Sequence, residues 1–146
     1  MNKISPADYL NCLVMLLKSP QKFFINLPKD TKFKYPFVFL LISAFLSTLI
    51  FIGSTSFEPF YITGSIYYIN AVGMAFVTSF AGFISIRLLL RNEASFSKCF
   101  SIFAYSTGVS VIGAGVPFLI WFAEIWKWWL IAAGLKNHLK FTTFPI

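Results

Sequence analysis

The run YPFVFLLISAFLSTLIFIG, Tyr35 to Gly53, holds nineteen residues and not one charge. At about 1.5 Å of rise per residue it matches the roughly 30 Å hydrocarbon core of a bilayer. Few folds tolerate such a segment, because in lipid a backbone must satisfy its own hydrogen bonds as a helix. A second apolar run extends from Gly64 to about Leu90, with small residues at Ala71, Ala75, Ser79 and Gly82. That spacing lets neighbouring helices approach closely. The rest of the chain agrees. With 58% hydrophobic and only 12% charged residues in 146, a soluble domain has too little interior to hide its apolar side chains. The net charge of +7 then speaks of membrane orientation and anionic headgroups, not of nucleic acid.

The N-terminal third is amphipathic and basic. ISPADYLNCLVMLLK, residues 4 to 18, opens with Ser5 as a cap, Pro6 in the first turn and Asp8 completing a Ser-x-x-Asp box. It is too short to span, and is expected in the membrane interface or against the bundle. Ser19-Pro20 repeats the start signal for a helix with Phe23, Phe24 and Leu27 on one side, closed by Pro28. Lys18, Lys22, Lys29, Lys32 and Lys34 form a basic interfacial segment. Each lysine near an anionic surface contributes about 1 kcal/mol, and the same charges also set topology. With no small-residue cleavage site after the broken apolar run YLNCLVMLL, the segment is expected to stay on the mature protein.

Residues 99 to 136 are almost continuously apolar, yet WFAEIWKWW places Glu124 and Lys127 among four tryptophans. Either one span ends in an aromatic belt there, or the chain turns at GAGVP, Gly113 to Pro117, and returns as a fourth span. The distribution of Lys and Arg separates the two. The N-terminal flank is basic, the loop after the first span has none, and the next carries Arg87, Arg91 and Lys98. The GAGVP turn has none, and Lys136 and Lys140 follow the last apolar run. Basic residues alternate sides only with four spans, both termini cytoplasmic. A charge at a helix centre costs roughly 2.5–3.5 kcal/mol on insertion scales. The i,i+3 spacing of Glu124 and Lys127 lets them pair on one side of the helix and soften that cost.

Four sets of residues are candidates for function. Glu124 and Lys127 are either a proton or ion relay, a docking point for another helix, or a local pair that lets an unusual span insert with Lys127 snorkelling. Arg87, Arg91 and Lys98 are headgroup or partner contacts in a cytoplasmic loop, or ordinary anchors. The basic N-terminal segment is the third. Ala104-x-x-x-Gly108 and Ser110-x-x-x-Ala114 are close-packing positions whose partner is left open. No catalytic set is present, since the carboxylates are scattered and the one histidine is His138. Cys12 and Cys99 belong to no metal-ligand pattern, and no phosphate loop occurs. An enzyme, a metal and a cofactor are therefore not expected.

In sequence order, SPQKFFINL, RNEASFSKCFSIFAYST and GVPFLIWFAEIWKWWLIAAGLKNHLKFT resemble the entry, middle and closing segments of the Yip domain family, integral membrane proteins named for interaction with Ypt/Rab GTPases. The likeness covers about residues 19 to 142. It implies a multi-pass membrane protein that assists trafficking or assembly. Family members usually carry a fifth span, where this chain has FTTFPI. A short bacterial or archaeal member in the cytoplasmic membrane is the nearest likeness.

The expectation is an all-α integral membrane protein: a four-span bundle preceded by short amphipathic interfacial helices. Residues 1–34 form the cytoplasmic-side segment and 35–146 the membrane domain, with spans near 35–53, 64–90, 98–114 and 117–136. Its expected role is a scaffold or adaptor, with the lipid bilayer, other membrane proteins or a second copy as partners. The alternative is a small transporter or channel subunit using Glu124 and Lys127.

Overall fold

Local chemistry sets each helix. A computed structural model describes residues 6–27, 33–55, 59–89, 95–114 and 116–138, and among them the structure is all-helical. The helices are α1 (Pro6–Lys18), α2 (Pro20–Asn26), α3 (Lys34–Ser54), α4 (Phe60–Leu89), α5 (Phe96–Ala114) and α6 (Ile120–His138), with one 3₁₀ turn, Pro117–Leu119, before α6. Pro20 opens α2 at a position where its missing N–H costs nothing. The Ser19 hydroxyl makes no capping bond. The Pro59 carbonyl accepts from the amides of Ile62 and Thr63, so α4 starts four residues ahead of the Gly64 expected from apolarity. At the far end of α3, the hydroxyls of Ser54 and Thr55 donate back to the Phe51 carbonyl. Those bonds satisfy a terminal acceptor that the helix cannot. Ser5, Lys29, Lys32, Glu58, Arg91, Glu93 and Lys140 lie outside the described residues.

By length and composition, Lys34–Ser54 and Phe60–Leu88 can each cross a membrane. They run antiparallel. Phe51 stacks on Tyr67 with ring centroids 4.4 Å apart, while near the other end Phe37 meets Phe76 at 5.8 Å. α5 and α6 form a second antiparallel pair. A Cβ on Gly113 would lie 3.1 Å from that of Ala123, and Gly134 faces Ile102. The chain thus reverses at Gly113–Pro117, and the apolar stretch from 99 to 136 is two helices.

α5 stands at the centre. Every residue from Cys99 to Ser110 is buried. Leu40, Ala75, Phe100 and Ala104 join α3, α4 and α5, and Ile86 meets Cys99 between α4 and α5. The largest apolar cluster draws Tyr9 and Leu16 from α1, Phe23 and Phe24 from α2, Phe39 from α3, Ile102, Tyr105 and Val109 from α5, and Leu130 and Ala133 from α6. The division at residue 34 is therefore crossed by a shared core. The small residues of α5 are used within the chain. Gly108 admits the Phe39 ring and Ser43, and Ala104 packs between α3 and α4.

A Cβ on Gly108 would sit 2.7 Å from Phe39 Cε1. That ring is fixed between Tyr9 and Tyr105, each 5.0 Å away centroid to centroid. Gly108→Ala should destabilise the protein by about 1–3 kcal/mol through overpacking. Gly73, with nothing within 4 Å of an added Cβ, should accept alanine neutrally or with a gain of up to about 1 kcal/mol. Melting of both variants in the same detergent checks the contrast.

Candidate functional site

α1 and α2 attach to the bundle by one side and leave the other bare. Tyr9 and Leu16 are two turns apart on α1 and both face inward. Phe23 and Phe24 lock α2 against α5 and α6. A chain of rings runs from Tyr9 to Phe39, to Tyr105 and to Phe23, each step 5.0 Å between centroids. It therefore links α1, α3, α5 and α2 in turn. The Tyr9 and Ser43 hydroxyls share a buried hydrogen bond of 3.0 Å. Burial pushes the Tyr9 phenol above its ordinary range, opposed in part by that bond. The outward side of α1 and α2 combines exposed Lys18 and Lys22 with exposed Leu10, Leu17 and Ile25. Lys34, at the start of α3, is exposed too. Such a mixed basic and apolar face suits the boundary between headgroups and acyl chains.

Buried hydroxyls on α3, α4 and α5 mostly donate to the carbonyl four residues back, as in Thr48 to Ala44, Ser79 to Ala75 and Ser110 to Ser106. Ser47 instead crosses between helices. Its oxygen lies 2.6 Å from the Val111 carbonyl and 3.0 Å from the Tyr67 hydroxyl. These bonds fix the height of α3 against α4 and α5. An open groove of about 440 Å³ lies between α3 and α4, floored at Gly64 and lined chiefly by Phe45, Leu49, Ile52, Tyr61 and Ile69. Its serine and threonine hydroxyls are turned to backbone carbonyls, so it offers an apolar surface and no reacting group. Among the described residues no group of three His, Cys, Asp or Glu is placed to hold a metal.

Glu124 and Lys127 meet. Lys127 Nζ and Glu124 Oε2 form an i,i+3 ion pair at 2.5 Å, with the Lys127 side chain mostly covered and Glu124 half-exposed at the margin of α6. Ala123, Leu130 and Ile131 are buried on the same face of the helix as Lys127. Arg87 is exposed, with its guanidinium carbon 5.8 Å from the centre of the Phe83 ring. Phe83 in turn touches Phe96 at the start of α5, which brings Arg87 to the same end of the molecule as Lys98. Ser110 is buried and Ala114 half-buried at the α5 terminus. Sequence reasoning passed over Tyr9, Phe39 and Tyr105, the residues that join the N-terminal helices to the bundle. The hydroxyls of the two tyrosines in apolar surroundings were the available signal.

Cys12 lies half-buried on α1. Burial foremost, and the Asp8 carboxylate second, push its thiol upward. The thiolate is the reactive form, so Cys12 should alkylate more slowly than a free cysteine at pH 7, with the rate climbing as pH rises. Asp8→Asn should speed the reaction at fixed pH. Stopped maleimide labelling across pH 7 to about 10 measures both. Tyr9→Phe removes one buried hydrogen bond and should cost about 0.5–1.5 kcal/mol. Adding Ser43→Ala to it should cost less than the sum of the two single changes in a melting cycle.

The family model of the Yip1 domain matches residues 14–145, which includes most of α1 and all of α2 to α6. No curated protein and no solved structure matches the chain.

Proposed function

The chain belongs to the Yip1 domain family, multi-span membrane proteins of trafficking that are not enzymes, and from that premise we propose that it is a membrane scaffold. In this reading it crosses the bilayer four times through α3, α4, α5 and α6. Its α1–α2 unit lies on the cytoplasmic side as a fixed platform for a partner protein beside anionic headgroups. The observation that carries the proposal is the two-sidedness of α1 and α2. One side is locked to the bundle through Tyr9, Leu16, Phe23 and Phe24, and the other presents Lys18 and Lys22 among exposed leucines and Ile25.

Charge placement supports the orientation. Lys18 and Lys22 precede α3 and Lys34 opens it, no Lys or Arg lies between α3 and α4, Arg87 lies in the last turn of α4, Arg91 follows that helix and Lys98 lies in the first turn of α5. None lies in the Gly113–Pro117 turn, and Lys136 and Lys140 come last. Basic residues gather on the cytoplasmic side, so both termini are assigned there. Four spans then account for the reversal between α5 and α6.

A photo-reactive residue at Leu17 or Ile25 in native membranes tests the role. The expected result is a discrete crosslinked protein, lost when Lys18→Glu and Lys22→Glu are introduced together. Crosslinks to lipid alone would sink the scaffold reading. For orientation, a cysteine at Val116 should react with an impermeant maleimide added from outside intact cells, and one at Lys22 should not.

A further inference from the structure

We propose that α1 and α2 form a fixed wedge in the cytoplasmic leaflet, through which the protein favours membrane that bulges toward the cytoplasm. The inference rests on the four-span reading above and adds what the two helices do to lipid. It does not depend on a partner protein.

The depth of α1 and α2 follows from what they touch. Ser47 bonds the Val111 carbonyl, and Lys34 and Lys98 stand an equal number of residues before them. The two cations therefore mark one level at the cytoplasmic end. The Tyr9 hydroxyl bonds Ser43, and from Lys34 to Ser43 α3 descends about 13 Å. Phe23 packs on Tyr105, about as far below Phe96 at the start of α5. α5 and α6 have 19 residues each. That is about 28 Å of helix, and a hydrocarbon core of roughly 30 Å uses all of it. Were α1 and α2 to lie above the hydrocarbon, the stretch of α5 from Tyr105 to Ala114, about 14 Å, would have to cross it alone. Both helices are thus set inside the cytoplasmic half of the bilayer.

Their outward side fits that depth. Leu10, Val14 and Leu17 of α1 recur at helical spacing and are exposed by 57%, 45% and 50%, and Ile25 of α2 by 61%. At this level they meet acyl chains. Lys18 and Lys22 flank the corner at Ser19 and are exposed. Their stems reach the headgroups from below, where anionic lipid complements their charge.

The wedge is one-sided and rigid. Among the described residues the opposite half of the bilayer holds α3 to α6 and the turn Pro117–Leu119. The cytoplasmic half holds two helices more, each about 10 Å across. Tyr9, Leu16, Phe23 and Phe24 are buried in one cluster with Phe39, Tyr105 and Leu130, so the added width moves with the bundle. A protein wider in one leaflet fits best where that leaflet is expanded, on the convex side of a bend, and inserted apolar helices are curvature-sensitive for the same reason.

The test uses the full-length chain reconstituted in giant vesicles that contain anionic lipid. With Cys12→Ala and Cys99→Ala as background, a fluorophore on Leu10→Cys reads depth. A nitroxide low on the acyl chain should quench it about twofold or more better than one on the headgroup, as a site inside the hydrocarbon requires. Copies labelled from outside at Lys22→Cys have their cytoplasmic side outward. They should be enriched about twofold or more in tubules drawn from the vesicle, and copies labelled at Val116→Cys, inserted the other way, should be depleted there. All three labelled positions are exposed, so the packing of the bundle is undisturbed.

Stronger quenching of Leu10→Cys from the headgroup would overturn the proposal, and so would equal sorting of the two orientations. Failure of the four-span reading registers separately, in the labelling of Val116→Cys on intact cells, and failure of the scaffold reading in the crosslinks at Leu17 and Ile25.

Discussion

The structure depends on a helix with no free surface. From Cys99 to Ser110, α5 is buried on every side, and such a helix can be enclosed only if its neighbours approach closely. Gly108 takes the Phe39 ring, and on α4 Gly82 faces the ring of Phe103. Both are positions where a methyl group would collide. Between lipid-soluble helices there is no hydrophobic drive to associate, so contact area and interhelical hydrogen bonds supply the energy. The bonds of Ser47 to α4 and α5, and of Ser43 to Tyr9, convert that contact into one register.

Enclosing α5 also explains the place of α1 and α2. α3 and α4 cover the side of α5 that carries Phe100, Ala104 and Gly108, and α6 covers Ile102. The positions of Tyr105 and Val109 are completed by Tyr9, Phe23 and Phe39. Leu16 and Phe24 are fully buried in the same cluster. The N-terminal helices are thus structural parts of the bundle.

Much of this was legible from residue types. The charge-free run of α3 and the alternation of Lys and Arg need no structure to be read. The glycine and proline at 113–117 announced a reversal that the packing of Gly113 on Ala123 displays. What was hidden was direction around each helix axis. In water an apolar stripe marks the inner face, but in lipid both faces are apolar and the periodicity loses its meaning. On α1, Leu10 and Leu17 are exposed while Tyr9 and Leu16 are buried, and hydrophobicity does not separate one pair from the other. Ala104 and Gly108 announced close packing, but a small residue carries no mark of which helix it will admit.

The same blindness applied to Glu124 and Lys127, where facing decides meaning. A relay through a single bundle needs the pair turned inward. Ala123, Leu130 and Ile131 hold those positions, and Leu130 is packed with Phe24 and Ile102. Turning α6 by the roughly 100° that separates adjacent residues would break that packing and carry Glu124 to the middle of the inner face. The hydroxyls there donate mostly to their own backbones, while Ser106 Oγ is buried without a partner. The pair therefore joins two sides of α6, with the lysine side chain mostly covered by the bundle and the carboxylate half-exposed at its margin.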